Sequence, residues 1–256
     1  MAKIDVSRRQ LFKGVGALAL GLTLGKILPP KAQAQKINAS RWPWPYVKLD
    51  PKTTAELAYE SWYHLYCGAA VINSVFSQLR KKVGQPYLSF PIKGFMFAEG
   101  GVAGWGTICG SLLGANIVTN LIIGPRLTGN PTGTLMGSEI MQWYTEAKMP
   151  LYVPKNPKVS PDKIPHTVSN SPLCHISVGK WMKKAHKALH SPERRDRCAR
   201  VTASVAYHLV ELLNLWKEGK YETEGEFPSG EFGITAQYNC EDCHGENVPE
   251  PPGEED

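Results

Sequence analysis

The chain has 256 residues, enough for one sizeable domain with an appendage, and its hydrophobic and aromatic contents are ordinary for a globular protein. Its formal charge of +6 comes mainly from residues 1–34, which carry six Lys or Arg and one Asp. The remaining residues hold 23 basic and 22 acidic side chains, so the composition gives no support to nucleic-acid binding.

Residues 1–34 have the pattern of a signal peptide that is removed after export. Arg8 and Arg9 precede a moderately apolar run, residues 14–24, and residues 32–34 read Ala-Gln-Ala, as at a signal-peptidase site. The apolar run is too short for a transmembrane helix, so we expect no membrane span after signal removal. The paired arginines resemble the twin-arginine signal and predict a periplasmic protein; an ordinary signal with two arginines is the alternative. Twin-arginine export carries proteins that are already folded, commonly because a cofactor was inserted before export. The signal therefore indicates a second cofactor, in addition to any cofactor that is attached after export.

Residues 35–50 are predicted to form an extended N-terminal arm. The run Trp42-Pro43-Trp44-Pro45-Tyr46 cannot be helical, because each proline disfavours helix before it. We expect its aromatic rings to be buried along the body or across a dimer seam, since an exposed aromatic arm is unusual.

Residues 51–220 are predicted to form a helical domain. A first helix opens at Asp50 and Pro51, runs to about Lys82 and stops at Gly84. Residues 85–104 are predicted to be a loop, and an apolar helix is predicted from Trp105 to Ile123. On that helix Gly106, Gly110 and Gly114 form a stripe where another backbone can approach closely. Further helices are predicted over 134–148, 173–189 and 192–218. The proline-rich residues 149–172 are predicted to be a long loop. The predicted fold class is therefore mainly α: a helical bundle with long irregular loops and a C-terminal haem-binding extension.

Residues 221–256 form an acidic segment, with 11 acidic side chains and no Lys or Arg. It contains Cys240-Glu241-Asp242-Cys243-His244, the C-x-x-C-H pattern of covalent haem c attachment. Two thiols three positions apart can add to the two vinyl groups of one haem, and His244 is then the proximal ligand of the haem iron. The alternative is an exposed disulfide loop with an idle histidine. The acidic segment should be attracted to residues 35–220, which hold 23 bases and 11 acids, in its own chain or a neighbour's.

Four further cysteines each lie on or near a different predicted helix: Cys67, Cys109, Cys174 and Cys198. None belongs to a C-x-x-C pair, so spacing alone does not establish a metal site. Four thiolates are what a [2Fe–2S] or [4Fe–4S] cluster needs, and a helical bundle can bring four such side chains together. Four small buried core residues and two disulfides remain the alternatives.

The residues around these cysteines resemble a known family. Cys67 is followed by Gly-Ala-Ala, Cys109 opens the run C-G-S-L-L-G, and Cys174 and Cys198 follow singly, as in the C-GCAxxG-C-C family of redox-active proteins. Ser111 replaces the usual alanine of that family. With an export signal and C-x-x-C-H, the whole chain resembles the split-Soret cytochromes c. That resemblance implies a periplasmic homodimer whose haems gather at one end, with bis-His iron and a ligand that can cross between subunits. Those cytochromes carry two haems per chain, whereas this sequence has one C-x-x-C-H.

The second axial ligand of the haem is expected to be a histidine, and the candidates rank as His64, His175, His166 and His208. His64 lies about one helical turn before Cys67, which would place a haem near the four cysteines. His175 adjoins Cys174 but is expected to point elsewhere on its helix, and His166 lies in the proline-rich loop. His208 lies about 15 Å along a helix from Cys198. His186 and His190 are interpreted as part of a solvated face.

These patterns favour a periplasmic electron-transfer protein with one covalent haem and a probable iron–sulfur cluster per chain, acting with redox partner proteins. Two saturated axial positions would leave no open site on the haem iron, so no catalytic residue is assigned. A five-coordinate haem acting on a small molecule would make the chain a redox enzyme instead. The third reading is a haem carrier stabilised by two disulfides.

Overall fold

The computed structural model describes residues 42–126 and 130–227 and confirms the expectation of a mainly α fold. The described residues contain five α-helices: α1 (Pro51–Lys82), α2 (Gly110–Ile122), α3 (Thr132–Glu146), α4 (Cys174–Ala185) and α5 (Pro192–Lys217). Two isolated bridges, Ile108 with Leu173 and Met149 with Thr167, are the β-type pairing in these ranges. The predicted signal peptide and the predicted haem-binding residues Cys240, Cys243 and His244 lie outside the described residues.

Local capping signals set the ends of the longest helices. The Asp50 side chain accepts a hydrogen bond of 2.7 Å from the Thr53 backbone N–H, and Pro51 takes the first helical position. Beyond the other end, Gly84 adopts a φ of +90°, which a residue with a side chain rarely does. Ser191 caps α5 in the same way by accepting from the Arg194 N–H at 3.2 Å. The predicted starts of α1 and α5 are therefore confirmed.

The backbone of α1 is broken at Tyr66, which the sequence did not predict. Tyr66 has φ 59° and ψ −164°, inside a segment that is otherwise helical. A non-glycine residue in this region costs about 1–3 kcal/mol and persists only where the surroundings impose it. Cys67 is the first residue after the break. The inference that His64 and Cys67 are one regular turn apart is therefore wrong, because the helical rise does not continue across Tyr66.

The α2 helix begins at Gly110, so the prediction of a start at Trp105 is wrong. Gly104 and Gly106 have φ values of +79° and +71°, which turn the chain away from right-handed helix. Trp105 is 85% exposed, which a residue on a buried apolar helix would not be. None of the helices in the described ranges is both long and apolar enough to cross a membrane.

The core lies where α1, α2, α3 and α5 pack together. Its fully buried apolar side chains include Ile72, Val75, Phe76 and Leu79 of α1, Leu112 and Val118 of α2, Ile140 of α3, and Val205 and Leu209 of α5. The arm packs against the same core: Trp44 and Tyr46 are buried, and the Tyr46 hydroxyl donates to Asn214 Oδ1 at 2.9 Å. Trp42, by contrast, is 44% exposed.

The glycines predicted as a stripe on the second helix lie in close contact with the backbone of α1 and of the loop between α1 and α2. A Cβ built on Gly114 would lie 2.5 Å from the Gly68 carbonyl oxygen, and one on Gly110 would lie 2.0 Å from the Ala98 carbonyl oxygen. Gly106 does not share this contact; its neighbour is His175. The two glycines allow α2 to approach the segment that follows Cys67.

Replacing Gly114 by alanine is expected to lower the free energy of unfolding by about 1–3 kcal/mol, because the new methyl group must displace backbone rather than a flexible side chain. Urea denaturation followed by circular dichroism measures the change. Gly179→Ala is the matched control, since nothing lies within 4 Å of a Cβ at that helical position. A loss as large in the control as in Gly114→Ala would contradict the packing argument.

Candidate metal centre

Cys67, Cys109, Cys174 and Cys198, here called the four body cysteines, occupy two kinds of position. Cys67 follows the break in α1, Cys109 is the N-cap residue of α2, and Cys174 is the first residue of α4. Cys198 lies in the second turn of α5. Backbone N–H groups and the positive end of the helix dipole favour negative charge at helix starts. Three of the four cysteines therefore lie at the beginning of a helical segment.

Backbone pairing between two loops brings Cys109 and Cys174 together. The Cys109 N–H donates to the Pro172 carbonyl at 2.8 Å, and the Cys174 N–H donates to the Thr107 carbonyl at 2.7 Å. The isolated bridge of Ile108 with Leu173 lies between these two bonds. This pairing joins segments that are more than 60 residues apart, so helical periodicity in the sequence carried no sign of it.

Cys67, Cys109, Cys174 and Cys198 are free thiols, and Cys67 and Cys174 lie close enough to the others to be influenced by their charge. Burial raises the pKa of Cys67 well above its ordinary value, and Cys109, Cys198 and Cys174 raise it further by charge repulsion. Burial, and charge repulsion from Cys109 and Cys198, raise the pKa of Cys174 to about 12. Without metal, Cys67 and Cys174 therefore stay protonated at neutral pH. Binding a metal group here releases protons, so it becomes more favourable as the pH rises.

The described residues offer no preformed site for a single metal ion. Over residues 42–126 and 130–227, no three His, Cys, Asp or Glu side chains converge closely enough to bind one metal ion. Four sulfurs around one tetrahedral ion would lie about 3.8 Å apart.

A buried arginine lies against this cluster of thiols without a carboxylate. Arg197 is 2% exposed; its Nη2 donates to Ser177 Oγ at 2.7 Å and its Nη1 lies 3.8 Å from Cys198 Sγ. Its Nε has no hydrogen-bond partner, and no acid in the described part of the chain pairs with it. Burial disfavours the charged guanidinium, but Cys198 and Tyr144 raise the pKa of Arg197. A buried charge needs compensation, so an anionic group at the thiols fits this site.

A second hydrogen-bond donor reaches the sulfurs from α1. Trp62 is buried, and its Nε1 donates to Cys67 Sγ at 3.3 Å. Arg194 adds a weaker contact, with Nη1 4.0 Å from Cys198 Sγ. Hydrogen bonds and positive charge near metal-bound sulfur stabilise the more negative, reduced state and raise the reduction potential.

An open cavity of about 570 Å³ gives access to this centre. Cys67, Cys174 and Cys198 line it, and so do His175 and His190. Both histidines are exposed. The expectation that His175 points away from Cys174 is therefore wrong, because the two neighbours border the same cavity. His190, interpreted from the sequence as part of a solvated face, also borders it.

The other candidate histidines lie elsewhere. His64 is exposed and does not line this cavity. His166 is exposed in the long loop, with Nδ1 3.3 Å from the Lys148 carbonyl oxygen. His208 is half-buried, stacks on Trp143 and lines a separate cavity.

Sequence reasoning missed the cationic side of the centre. Arg194 and Arg197 lie four and one residues before Cys198 on α5, and Trp62 lies five residues before Cys67. Two arginines flanking a lone cysteine on one helix were a usable signal, because positive charge favours the thiolate. Which of them is buried could not be read from spacing.

Comparison with known proteins identifies the family of the chain. The family model described as "Putative redox-active protein (C_GCAxxG_C_C)" matches residues 66–212, a range that contains all four body cysteines. The chain is 33% identical to the split-Soret cytochrome c of Desulfovibrio desulfuricans, over 94% of this chain and 88% of that protein.

The fold is also similar to a solved structure of that cytochrome, described as containing a novel iron centre. The two share 30% identity with a TM-score of 0.66, over 78% of this chain and 81% of the other. The chain therefore belongs to the C_GCAxxG_C_C family and is a redox protein related over nearly its whole length to the split-Soret cytochromes c.

Proposed function

We propose that this chain is a periplasmic electron-transfer protein with one covalent haem c and one iron–sulfur cluster. Cys240 and Cys243 would attach the haem and His244 would be its proximal ligand. Cys67, Cys109, Cys174 and Cys198 would hold the cluster. The observation that carries the proposal is a set of four free thiols beside the buried, uncompensated guanidinium of Arg197. The iron centre of the related Desulfovibrio cytochrome supports the proposal by analogy.

The bound groups would supply reversible one-electron chemistry, and the chain's own residues would set its conditions. Trp62 and Arg197 place a donor and a positive charge at the sulfurs, and both favour the reduced state. The helices around the thiols bury Cys109 and Cys198 from water. Sequence resemblance further supports a homodimer, and the acidic segment over 221–256 is the part expected to dock on a basic surface of its own chain or a partner.

Measuring iron and haem in the exported protein tests this function. We expect three iron atoms per haem for a [2Fe–2S] cluster and five for a [4Fe–4S] cluster. Stepwise reduction should change the absorption of haem and cluster separately. One iron per haem would remove the cluster, and a colourless product with the bare polypeptide mass would remove the haem.

His175 is our choice for the second ligand of the haem iron. It borders the cavity that adjoins Cys174, whereas His64 and His166 do not. Replacing His175 by alanine is expected to change the haem absorption spectrum and shift its reduction potential, because axial ligation sets both. His166→Ala is the matched control. If the spectrum is unchanged in His175→Ala and changed in His166→Ala, the second ligand is His166 of the long loop and not His175.

The cavity at the thiols favours one second function, a redox enzyme acting on a small molecule. Cys67 and Cys174 are partly exposed in a space of about 570 Å³, large enough for a small substrate. Adding carbon monoxide or cyanide distinguishes the two functions. A haem absorption spectrum that does not change on adding either ligand supports electron transfer alone. A rapid change in the spectrum supports an open coordination position on the haem iron and hence catalysis.

A further inference from the structure

A second cavity, of about 540 Å³, lies on residues that the proposed redox centre does not use. It is bordered by the beginning of α1, the end of α3, residues 151–155 and the second half of α5. None of its lining residues borders the cavity at the cysteines. Its volume falls in the range of small-molecule binding sites in proteins.

Aromatic rings form much of the wall. Trp143 and His208 stack with their ring centroids 4.2 Å apart and their planes at 23°. Tyr152 and Tyr207 lie 6.4 Å apart and are tilted by 37°. Burial lowers the pKa of His208 to about 4, so its ring is neutral at pH 7 and offers one donor and one acceptor. Such walls favour a flat ring that can stack or meet them edge-on.

Two lysines place positive charge at the rim of this second cavity. Lys52 and Lys155 line the cavity and are exposed, and neither ammonium group has an ion-pair or hydrogen-bond partner among residues 42–126 and 130–227. Three acids lie nearby, and the charge of one of them, Asp50, interacts with Lys52 and Lys155. Glu56 accepts hydrogen bonds from the Tyr152 hydroxyl and the Lys155 backbone N–H, and burial raises the pKa of Glu211. Lys52 and Lys155 interact with Asp50 through their charges only, so their ammonium groups can still donate hydrogen bonds to a ligand.

We propose that this cavity binds a planar aromatic carboxylate, with its ring between the aromatic walls and its carboxylate at Lys52 and Lys155. The ring gains from leaving water for an apolar, aromatic surface. The carboxylate stays at the rim, where it is solvated and meets the two ammonium groups. This assignment does not depend on the haem or the iron–sulfur cluster.

Calorimetric titration of the full-length, haem-loaded protein tests the site, with 2-naphthoate as the probe and 2-naphthamide as its neutral counterpart. We expect 2-naphthoate to bind more tightly, and K52Q and K155Q each to weaken it about two- to fivefold. Binding of the amide should stay unchanged in both variants. K183Q is the matched control, because Lys183 is an exposed lysine that does not line the cavity.

His208→Gln separates ring binding from any role in haem ligation. We expect it to weaken both probes and to leave the haem spectrum unchanged, because the side chain loses its stacking ring but stays polar. Three outcomes would overturn the proposal: no binding of 2-naphthoate, equal binding of the two probes, or an equal loss in K183Q. A changed haem spectrum in His208→Gln would assign the cavity to the haem instead.

Discussion

Replacing Cys198 by serine is expected to leave one iron per haem, with all cluster iron lost. Cys198 lies inside α5, the helix that also carries Arg194 and Arg197 to its sulfur. A serine hydroxyl is a poor substitute for a soft thiolate ligand of an iron–sulfur cluster. Iron and haem analysis of the purified variant measures the loss, and far-ultraviolet circular dichroism checks that the helices remain.

The matched control is Val178→Ala, which changes a side chain of the same cavity that cannot bind metal. It should keep the full iron content. Retention of all iron in Cys198→Ser would show that the thiols do not hold the cluster, and equal loss in both variants would point to a packing defect.

Replacing Asp196 by asparagine is expected to cost about 3–5 kcal/mol of folding free energy. Asp196 is fully buried and accepts from Arg200 Nε at 2.7 Å, from the Tyr63 hydroxyl at 2.8 Å and from the Tyr59 hydroxyl. The same network anchors the long loop, because Arg200 Nη2 donates to the Val159 carbonyl at 2.5 Å. Asparagine leaves the buried guanidinium of Arg200 without its counter-charge. Removing one partner of a buried ion pair strongly destabilises the folded state, because the other charge stays buried and uncompensated.

Urea denaturation of both proteins measures this cost through the shift in midpoint at constant m-value. Glu193→Gln on the same helix is the control, since Glu193 pairs with Lys187 near the surface and its loss should leave the midpoint unchanged. A shift in Asp196→Asn no larger than in the control would mean that the buried pair contributes no net stability.

Prediction from sequence was best where the signal is local. A capping aspartate before a proline located the start of α1, and a serine before a proline located the start of α5, because each satisfies backbone N–H groups within one turn. Prediction was poorest at Trp105. The uncharged run there predicted a helix, but Gly104 and Gly106 have positive φ values and hold the residue in a loop. Tyr66 shows the same limit, since its strained conformation is imposed by packing.

By itself, the sequence determined the mainly α class, the helix starts that carry caps, and four single cysteines in the order typical of a redox family. Only the tertiary structure decided that the loops before α2 and α4 pair, that Arg197 is buried against Cys198 without an acid, and that His175 borders the cavity of Cys174. The reason is physical: caps and turns are satisfied within a few residues, whereas shared burial and charge compensation arise between segments far apart along the chain.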